Sequence, residues 1–240
     1  MISVCIATYN GAATISAQLT SIIPQLSPED EIIISDDRSS DNTIEVIQTL
    51  KCPLIRIIQG PAAGSPIPNF ENALKAAKGD YIFLSDQDDK WKPQKVQIMM
   101  KALEKADCVL SDCSITDSNF NVTHPSFFKC NNTKNGKYYN LLFKNGYIGG
   151  SMAFRRCILN RALPFPRHTP MHDLWIGNVA AFFYRMAFIS ESLSYFRRHG
   201  HNTSTSSQKS INPLSTRLSY RFITIRALLR LAFSHPSPKP

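Results

Sequence analysis

"YIFLSDQDDKW", residues 81–91, is an apolar run that ends in three carboxylates, Asp86, Asp88 and Asp89. A short apolar segment bounded by polar residues reads as a buried strand. Three segments upstream read the same way: "ISVCIATYN" (2–10), "DEIIISDD" (30–37) and "PLIRIIQG" (53–60). Helical spacings separate them. Ile15, Leu19, Ile22 and Ile23 form one apolar stripe, broken at Pro24 and Pro28. Ile44, Ile47 and Leu50 follow a Ser/Asp-rich start, and a Gly/Pro loop leads into "NFENALKAAKGD". Strands alternating with helices over residues 1–90 predict an α/β fold, a parallel sheet with helices on both faces. In such sheets ligands bind beyond the carboxyl ends of the strands. Three strand ends here carry polar cargo: Thr8-Tyr9-Asn10, Asp36-Asp37 and Asp86-Gln87-Asp88-Asp89.

Three neighbouring carboxylates repel one another unless water or a cation neutralises them. One reading is a solvated acidic turn; the other is a hard divalent cation, which takes oxygen ligands. A calcium loop is excluded, because the closing glutamate is missing and Gln97 stands in its place. Mg2+ or Mn2+ held by one or two carboxylates and a substrate diphosphate fits the spacing. The chain has no G-x-G-x-x-G or G-x-x-x-x-G-K-[ST] loop, so metal and side chains must neutralise the phosphates. Asp36-Asp37, ahead of "RSSDNT", either caps a helix or accepts bonds from a ribose or nucleobase. Asp89 is expected to cap the helix that follows, within "KWKPQKVQIMMKALEKA" (90–106).

The 240 residues, 43% hydrophobic, suit one α/β domain with an appendage. Six cysteines without a C-x-x-C pair argue for reduced thiols and against a disulfide framework or zinc site. No apolar stretch reaches the roughly 18–20 residues of a membrane span, and the N-terminus carries no signal-peptide pattern. The expected location is cytoplasmic. The net charge of +9 is local: residues 192–240 hold eight Lys/Arg and no acid, leaving 27 − 8 = 19 basic against 18 acidic residues elsewhere. A near-neutral body excludes a nucleic-acid partner, while the basic tail suits an anionic surface or a phosphate-bearing substrate.

Further along, "DCVLSDCSITD" (107–117) predicts a strand and turn, and the polar stretch 118–140 a loop. "MHDLWIGNVAAFFYRMAFI" (171–189) reads as a buried helix, and "SLSYFRRHGHN" (192–202) as a short strand leaving the core. In the tail, Leu214, Leu218, Phe222, Ile225, Leu229 and Phe233 line one face of a helix, with Arg217, Arg221, Arg226 and Arg230 largely off it. Such a helix lies on a membrane surface, or docks on its own domain or a partner; the membrane is the expected contact.

"SVCIATYNG", "IIISDDRSSDNT" and "GDYIFLSDQDDKWKPQKV" together resemble the first half of a GT-A-fold glycosyltransferase of family 2. The "SDQDDKW" form is similar to the bacterial rhamnosyltransferase-like branch, and "GGSMAFRR", "MHDLW" and "FRRHGHN" extend the likeness to about residue 205. The resemblance implies a Rossmann-like, mainly parallel mixed sheet over residues 1–205. Residues 1–110 would form the nucleotide-sugar half, 111–205 the acceptor and catalytic half, and 206–240 the amphipathic tail. It implies Asp173 as the general base, and Asp86 and Asp88 as the D-x-D that meets Mg2+ or Mn2+. Thr8, Tyr9, Asn10, Asp36, Asp37, Asn69, Asp86, Arg197, Arg198 and His199 would face the donor, and Gly150, Ser151 and His172 the acceptor. The implied reaction is an inverting transfer, of rhamnose from dTDP-rhamnose or else from a UDP-sugar. The acceptor would be a saccharide or lipid-linked molecule of surface polysaccharide synthesis, met at the inner face of the cell membrane. The chemistry agrees: a base must take the acceptor proton, and positive charge must meet the leaving diphosphate. Two other readings stand beside it, an aspartate-nucleophile phosphohydrolase and a non-catalytic, membrane-associated nucleotide-sugar-binding module. In the first of these the D-x-D would open the sheet, whereas here Asp36-Asp37 precedes it.

Overall fold

The structure, a computed structural model, describes residues 1–198 and 213–234. The four expected strands form and pair in parallel: β1 (Ile2–Thr8), β2 (Glu31–Asp36), β3 (Ile55–Gln59) and β4 (Tyr81–Asp86). Their order in the sheet is β3-β2-β1-β4, continued by β8 (Met152–Arg155), β6 (Cys108–Thr116), β9 (Met186–Arg197) and β5 (Lys90–Trp91), with β7 (Val122–His124) on β6. β8 runs antiparallel to both β4 and β6. It thereby joins the parallel first half to a second half in which β6 and β9 run parallel.

Helices cover both faces because apolar side chains leave each strand alternately. One face packs Ile6, Ile34 and Phe83 against Ile15, Leu19 and Ile22 of α1 (Ile15–Ile22), Ile47 of α2 (Thr43–Thr49) and Met99 and Leu103 of α4 (Lys95–Leu103). The other packs Cys5, Ile33 and Leu84 against Phe70 and Leu74 of α3 (Pro66–Ala76), Ile158 and Leu159 of α7 (Arg156–Ala162) and Trp175, Ile176 and Val179 of α8 (His172–Phe183). Each fully buried Ile, Leu or Phe contributes roughly 1.5–3 kcal/mol relative to exposure. α3 starts where its sequence dictates, with Ser65 as N-cap accepting from the Ile67 N–H and Pro66 in the first turn.

Three expectations need correction. The helix over 171–189 ends at Phe183, and Met186–Arg197 forms one twelve-residue strand, β9, in place of a short strand. Met186 and Phe188 pack toward one core cluster and Ala187 and Ile189 toward the other, a period of two that overrides the helical reading. Within the expected 118–140 loop, β7, α5 (Phe127–Asn131) and part of α6 (Lys137–Leu142) form. The segment 90–106 splits into the short strand β5 and α4, which begins only at Lys95.

The tail helix exists as α9 (Leu214–Ser234), and it docks on the body by a face other than its apolar stripe. Ala227 and Leu228 join the core cluster that holds Trp175. Arg221 Nη2 donates to the Phe143 carbonyl at 2.7 Å, and Arg161 Nη2 to the Leu231 carbonyl at 3.4 Å. Leu214, Leu218, Phe222, Leu229 and Phe233 remain exposed. No described helix is long and apolar enough to cross a membrane.

Candidate active site

The carboxyl ends of β1, β2 and β4 are sewn into one rim by their polar residues. Thr8 Oγ1 donates to Asp36 Oδ1 at 3.0 Å, and Asp36 also accepts from the Ser39 hydroxyl and N–H. Asp37 accepts from the backbone of Ala63 and Gly64, which fixes the loop ahead of α3. Asn10, in the left-handed region at φ 48, accepts from the Ser40 N–H at 2.8 Å. Tyr9, largely exposed, exchanges two backbone bonds with the side chain of Gln87, at 3.0 and 3.1 Å. Asn69 is buried and donates to the Thr8 carbonyl at 3.1 Å, while its Oδ1 has no protein partner among the described residues.

Behind this rim the acidic cluster and Asp173 meet across a two-glycine turn at Gly149–Ser151. Gly150 N–H bonds Asp86, and Gly149 N–H bonds Asp173 Oδ2 at 3.2 Å. A side chain at position 150 would lie 2.9 Å from Asp89 Oδ2 and 3.0 Å from Asp86 Oδ2, so glycine is what lets the backbone approach both carboxylates. Burial and the charges of Asp88 and Asp173 push the Asp86 carboxyl up to about 7, against the pull of Lys95 and the Gly150 N–H. Burial, with Asp88 and Asp86, also holds Asp89 well above the usual carboxylate range.

Arg197 ends β9 and Arg198 follows it, their guanidinium groups lying over the Phe120 and Phe196 rings. The Arg197 N–H donates to Asp89 Oδ1 at 3.0 Å, and the Arg198 N–H to the Thr116 carbonyl at 2.9 Å. His199 lies outside the described residues. Of the expected acceptor residues, Gly150 faces the carboxylates, whereas Ser151 is buried behind the turn at 1% exposure. His172 is also buried, stacked on Phe70 with ring centroids 3.9 Å apart. Neither of its ring nitrogens has a partner among the described residues, and burial pulls its pKa down against the opposing charge of Asp173.

Asp89 does not cap a helix: β5 follows it and Gln94 occupies the N-cap of α4, leaving Asp89 to hold the backbone of Arg197. The sequence pattern places Gln87 at the strand end without a role and gives Lys95 none. Lys95 is fully buried, donates to the Gly150 carbonyl at 2.6 Å and sits 4.6 Å over the Trp91 ring. Nothing in "KWKPQK" separates it from the neighbouring Lys90 and Lys92.

Hard carboxylate oxygens that crowd one another are the donor set a small divalent cation takes. No group of three or more His, Cys, Asp or Glu among the described residues is arranged to hold a metal alone. An ion held by Asp86 and Asp88 would need its remaining ligands from substrate phosphates and water.

A mainly parallel sheet with a D-x-D at the end of β4, followed by an antiparallel joining strand, defines the GT-A class of glycosyltransferase fold. The chain belongs to the glycosyl transferase family 2, whose model matches residues 3–163. An uncharacterized glycosyltransferase of Nostoc sp. is 27% identical over 223 residues, 84% of this chain and 66% of its own length. A dTDP-rhamnosyl transferase, RfbG of Shigella flexneri, is 35% identical over 127 residues, 50% of this chain and 42% of its own. The crystal structure of glucosyl-3-phosphoglycerate synthase from Mycobacterium tuberculosis with Mn2+, UDP and glucosyl-3-phosphoglycerate superposes with a TM-score of 0.58. It is 20% identical and covers 100% of this chain and 81% of that one, a likeness of fold. The chain thus spans about two thirds of the Nostoc relative and less than half of the Shigella one.

Proposed function

We propose that this chain is an inverting glycosyltransferase that moves a sugar from a nucleoside diphosphate to a saccharide or lipid-linked acceptor. The observation that carries the reading is the pairing of Asp86 and Asp173 across the Gly149–Gly150 turn, at the mouth of the polar strand ends. Asp173 takes the proton from the attacking acceptor hydroxyl. Asp86 and Asp88 hold Mg2+ or Mn2+, which offsets charge on the leaving diphosphate when bound. Thr8, Tyr9, Asn10, Asp36, Asp37 and Asn69 form the nucleoside side of the pocket. Arg197 and Arg198 form its diphosphate side, to which the family resemblance also assigns His199. Gly150 borders the acceptor, whereas the buried Ser151 and His172 act on it only through the turn and the start of α8.

Rhamnose from dTDP-rhamnose is the donor favoured by the "SDQDDKW" form and the Shigella relative. A UDP-sugar is the alternative, supported by the nucleotide bound in the mycobacterial synthase. No observation favours a phosphohydrolase or a catalytically inert binding module. The exposed apolar stripe of α9, flanked by arginines, supports contact with the anionic inner face of the cell membrane, where a lipid-linked acceptor would be presented.

Calorimetry with dTDP-rhamnose, UDP-glucose and UDP-N-acetylglucosamine, with and without Mn2+, tests the assignment. One donor binds in a Mn2+-dependent way, and Asp88→Ala weakens it at least about 10-fold, the loss of one charged ligand. Binding indifferent to both metal and Asp88 sinks the metal role. No binding by any of the three sinks the donor class.

A further inference from the structure

The backbone ladder between β1 and β4 ends at Ala7 opposite Asp86. Beyond that point the side chain of Gln87 takes the place of a strand. A primary amide offers a carbonyl and N–H donors, the same chemistry as a peptide unit. Gln87 Oε1 accepts from the Tyr9 N–H at 3.0 Å, and its Nε2 donates to the Tyr9 carbonyl at 3.1 Å. One side chain thus meets both backbone groups of one residue. The three N–H groups that follow are also met by side chains. Asn10 donates to Ser39 Oγ at 2.9 Å, Gly11 to Thr43 Oγ1 at 2.8 Å and Ala12 to Asp41 Oδ2 at 3.1 Å. A loop that cradles phosphate points such N–H groups at its ligand; here all four are engaged by the protein itself. What the loop offers a ligand is therefore its side chains, and Tyr9 stands 54% exposed. Gly11 leaves room for the Gln87 amide. A Cβ there would lie 2.9 Å from Gln87 Cδ and closer still to Oε1, and the three nearest atoms it meets all belong to Gln87.

We infer that Gln87 is a positioning residue: its amide extends the β1–β4 pairing by one residue and fixes Tyr9, whose exposed ring stands as a preformed face for the base of a nucleotide. An aromatic face takes a base by stacking, and one held in place beforehand loses less freedom when it does so. Gln87 acts through Tyr9 and touches no ligand itself. The fixing of Tyr9 stands on the hydrogen bonds alone; that the ring meets a nucleobase rests on the proposed function.

NMR of the full chain in EDTA tests this, with amide hydrogen exchange and titrations of UMP and dTMP read on the same samples. Gln87→Met keeps the length of the side chain and removes both hydrogen bonds. In it the Tyr9 amide exchanges about 2- to 10-fold faster, the loss of one hydrogen bond, while the amides of β2 and β3 keep their rates. Nucleotide affinity falls about 3-fold or more in Gln87→Met and about 5-fold or more in Tyr9→Ala. The double variant binds no more weakly than Tyr9→Ala alone, because Gln87 acts only through the ring. A role in packing alone leaves Gln87→Met at wild-type exchange and affinity, and a direct contact with nucleotide makes the two losses multiply; either result overturns the inference. Gly11→Ala supplies an independent arm, since its methyl displaces the amide without touching Gln87 in sequence. It reproduces the losses of Gln87→Met, yet adds nothing in Gln87→Ala, where the space is vacated. Wild-type behaviour of Gly11→Ala, or a further loss in the Gln87→Ala background, overturns the inference, and this arm decides should Gln87→Met fail to fold. A wild-type chain that binds neither nucleotide while the Tyr9 amide follows the pattern refutes the proposed function and leaves the fixing of Tyr9 standing.

Discussion

Asp86→Asn separates what this carboxylate costs the fold from what it does for the site. Burial, with Asp88 and Asp173 nearby, raises Asp86 from an ordinary 3.8 to about 7. A carboxyl whose folded pKa exceeds its unfolded one holds its proton more tightly when folded. Its contribution is fully present below pH 4 and is lost as pH rises to about 7. Three units at 1.36 kcal/mol each give roughly 4 kcal/mol. Solvent reaches this half-buried group, and halving for that leaves about 2 kcal/mol. Asp89 acts in the same direction, whereas the depressed His172 destabilises the fold as pH falls through its unfolded value. The quantity to read is therefore the difference between variant and wild type. Urea unfolding in EDTA, followed by tryptophan fluorescence at pH 5, 6.5 and 8, supplies it. The variant is expected to exceed wild type by about 2 kcal/mol at pH 8 and by clearly less at pH 5, where part of the loss is already present, and to lose Mn2+-dependent nucleotide binding at both. A variant no more stable than wild type at pH 8 refutes the reasoning, since ionised Asp86 would then impose no strain on the resting site.

Asp173→Asn keeps an oxygen for the Gly149 N–H, so donor binding by calorimetry is unchanged while the transfer rate falls about 10²–10⁴-fold. Gly150→Ala forces a methyl against Asp86 and Asp89. It costs about 1–3 kcal/mol in urea unfolding and weakens Mn2+-dependent nucleotide binding in the same preparation. Phe222 and Phe233 are 66% and 87% exposed, so replacing both by serine leaves the melting temperature in place. The same double change should release the protein from phosphatidylglycerol vesicles in a sedimentation assay, and 0.5 M salt should weaken wild-type binding.

The first, parallel half was legible because its information is local. Each strand and the helix after it are adjacent in sequence, and the polar residues at 8–10, 36–37 and 86–89 sit at the turn between them. What failed to show depends on segments far apart. Residues 171–189 are apolar enough to satisfy either period, and only pairing with β6 makes the second part a strand. Asp89 resembles a helix cap until β9 brings the Arg197 N–H to it from 108 residues away. Lys95 looks like any surface lysine until Gly150, 55 residues on, supplies its acceptor. The tail pattern named an apolar face correctly, but a helix has more than one face, and the smaller Thr224, Ala227 and Leu228 turn inward.

β8 lies between β4 and β6, although it follows both in the chain. As synthesis proceeds from the N-terminus, β1 to β4 emerge first with the outer edge of β4 open, carrying Ile82, Phe83 and Leu84 that end wholly buried. That edge closes only when Met152–Arg155 arrives and pairs with Tyr81–Phe83. Until then the nascent half presents an unprotected, apolar strand to other chains. The β1–β4 half is consequently no exchangeable cassette. A chimera cut between β4 and β8 must carry a matching β8 to seal the seam, or the donor pocket arrives with a sticky border and aggregates before a sugar can reach it.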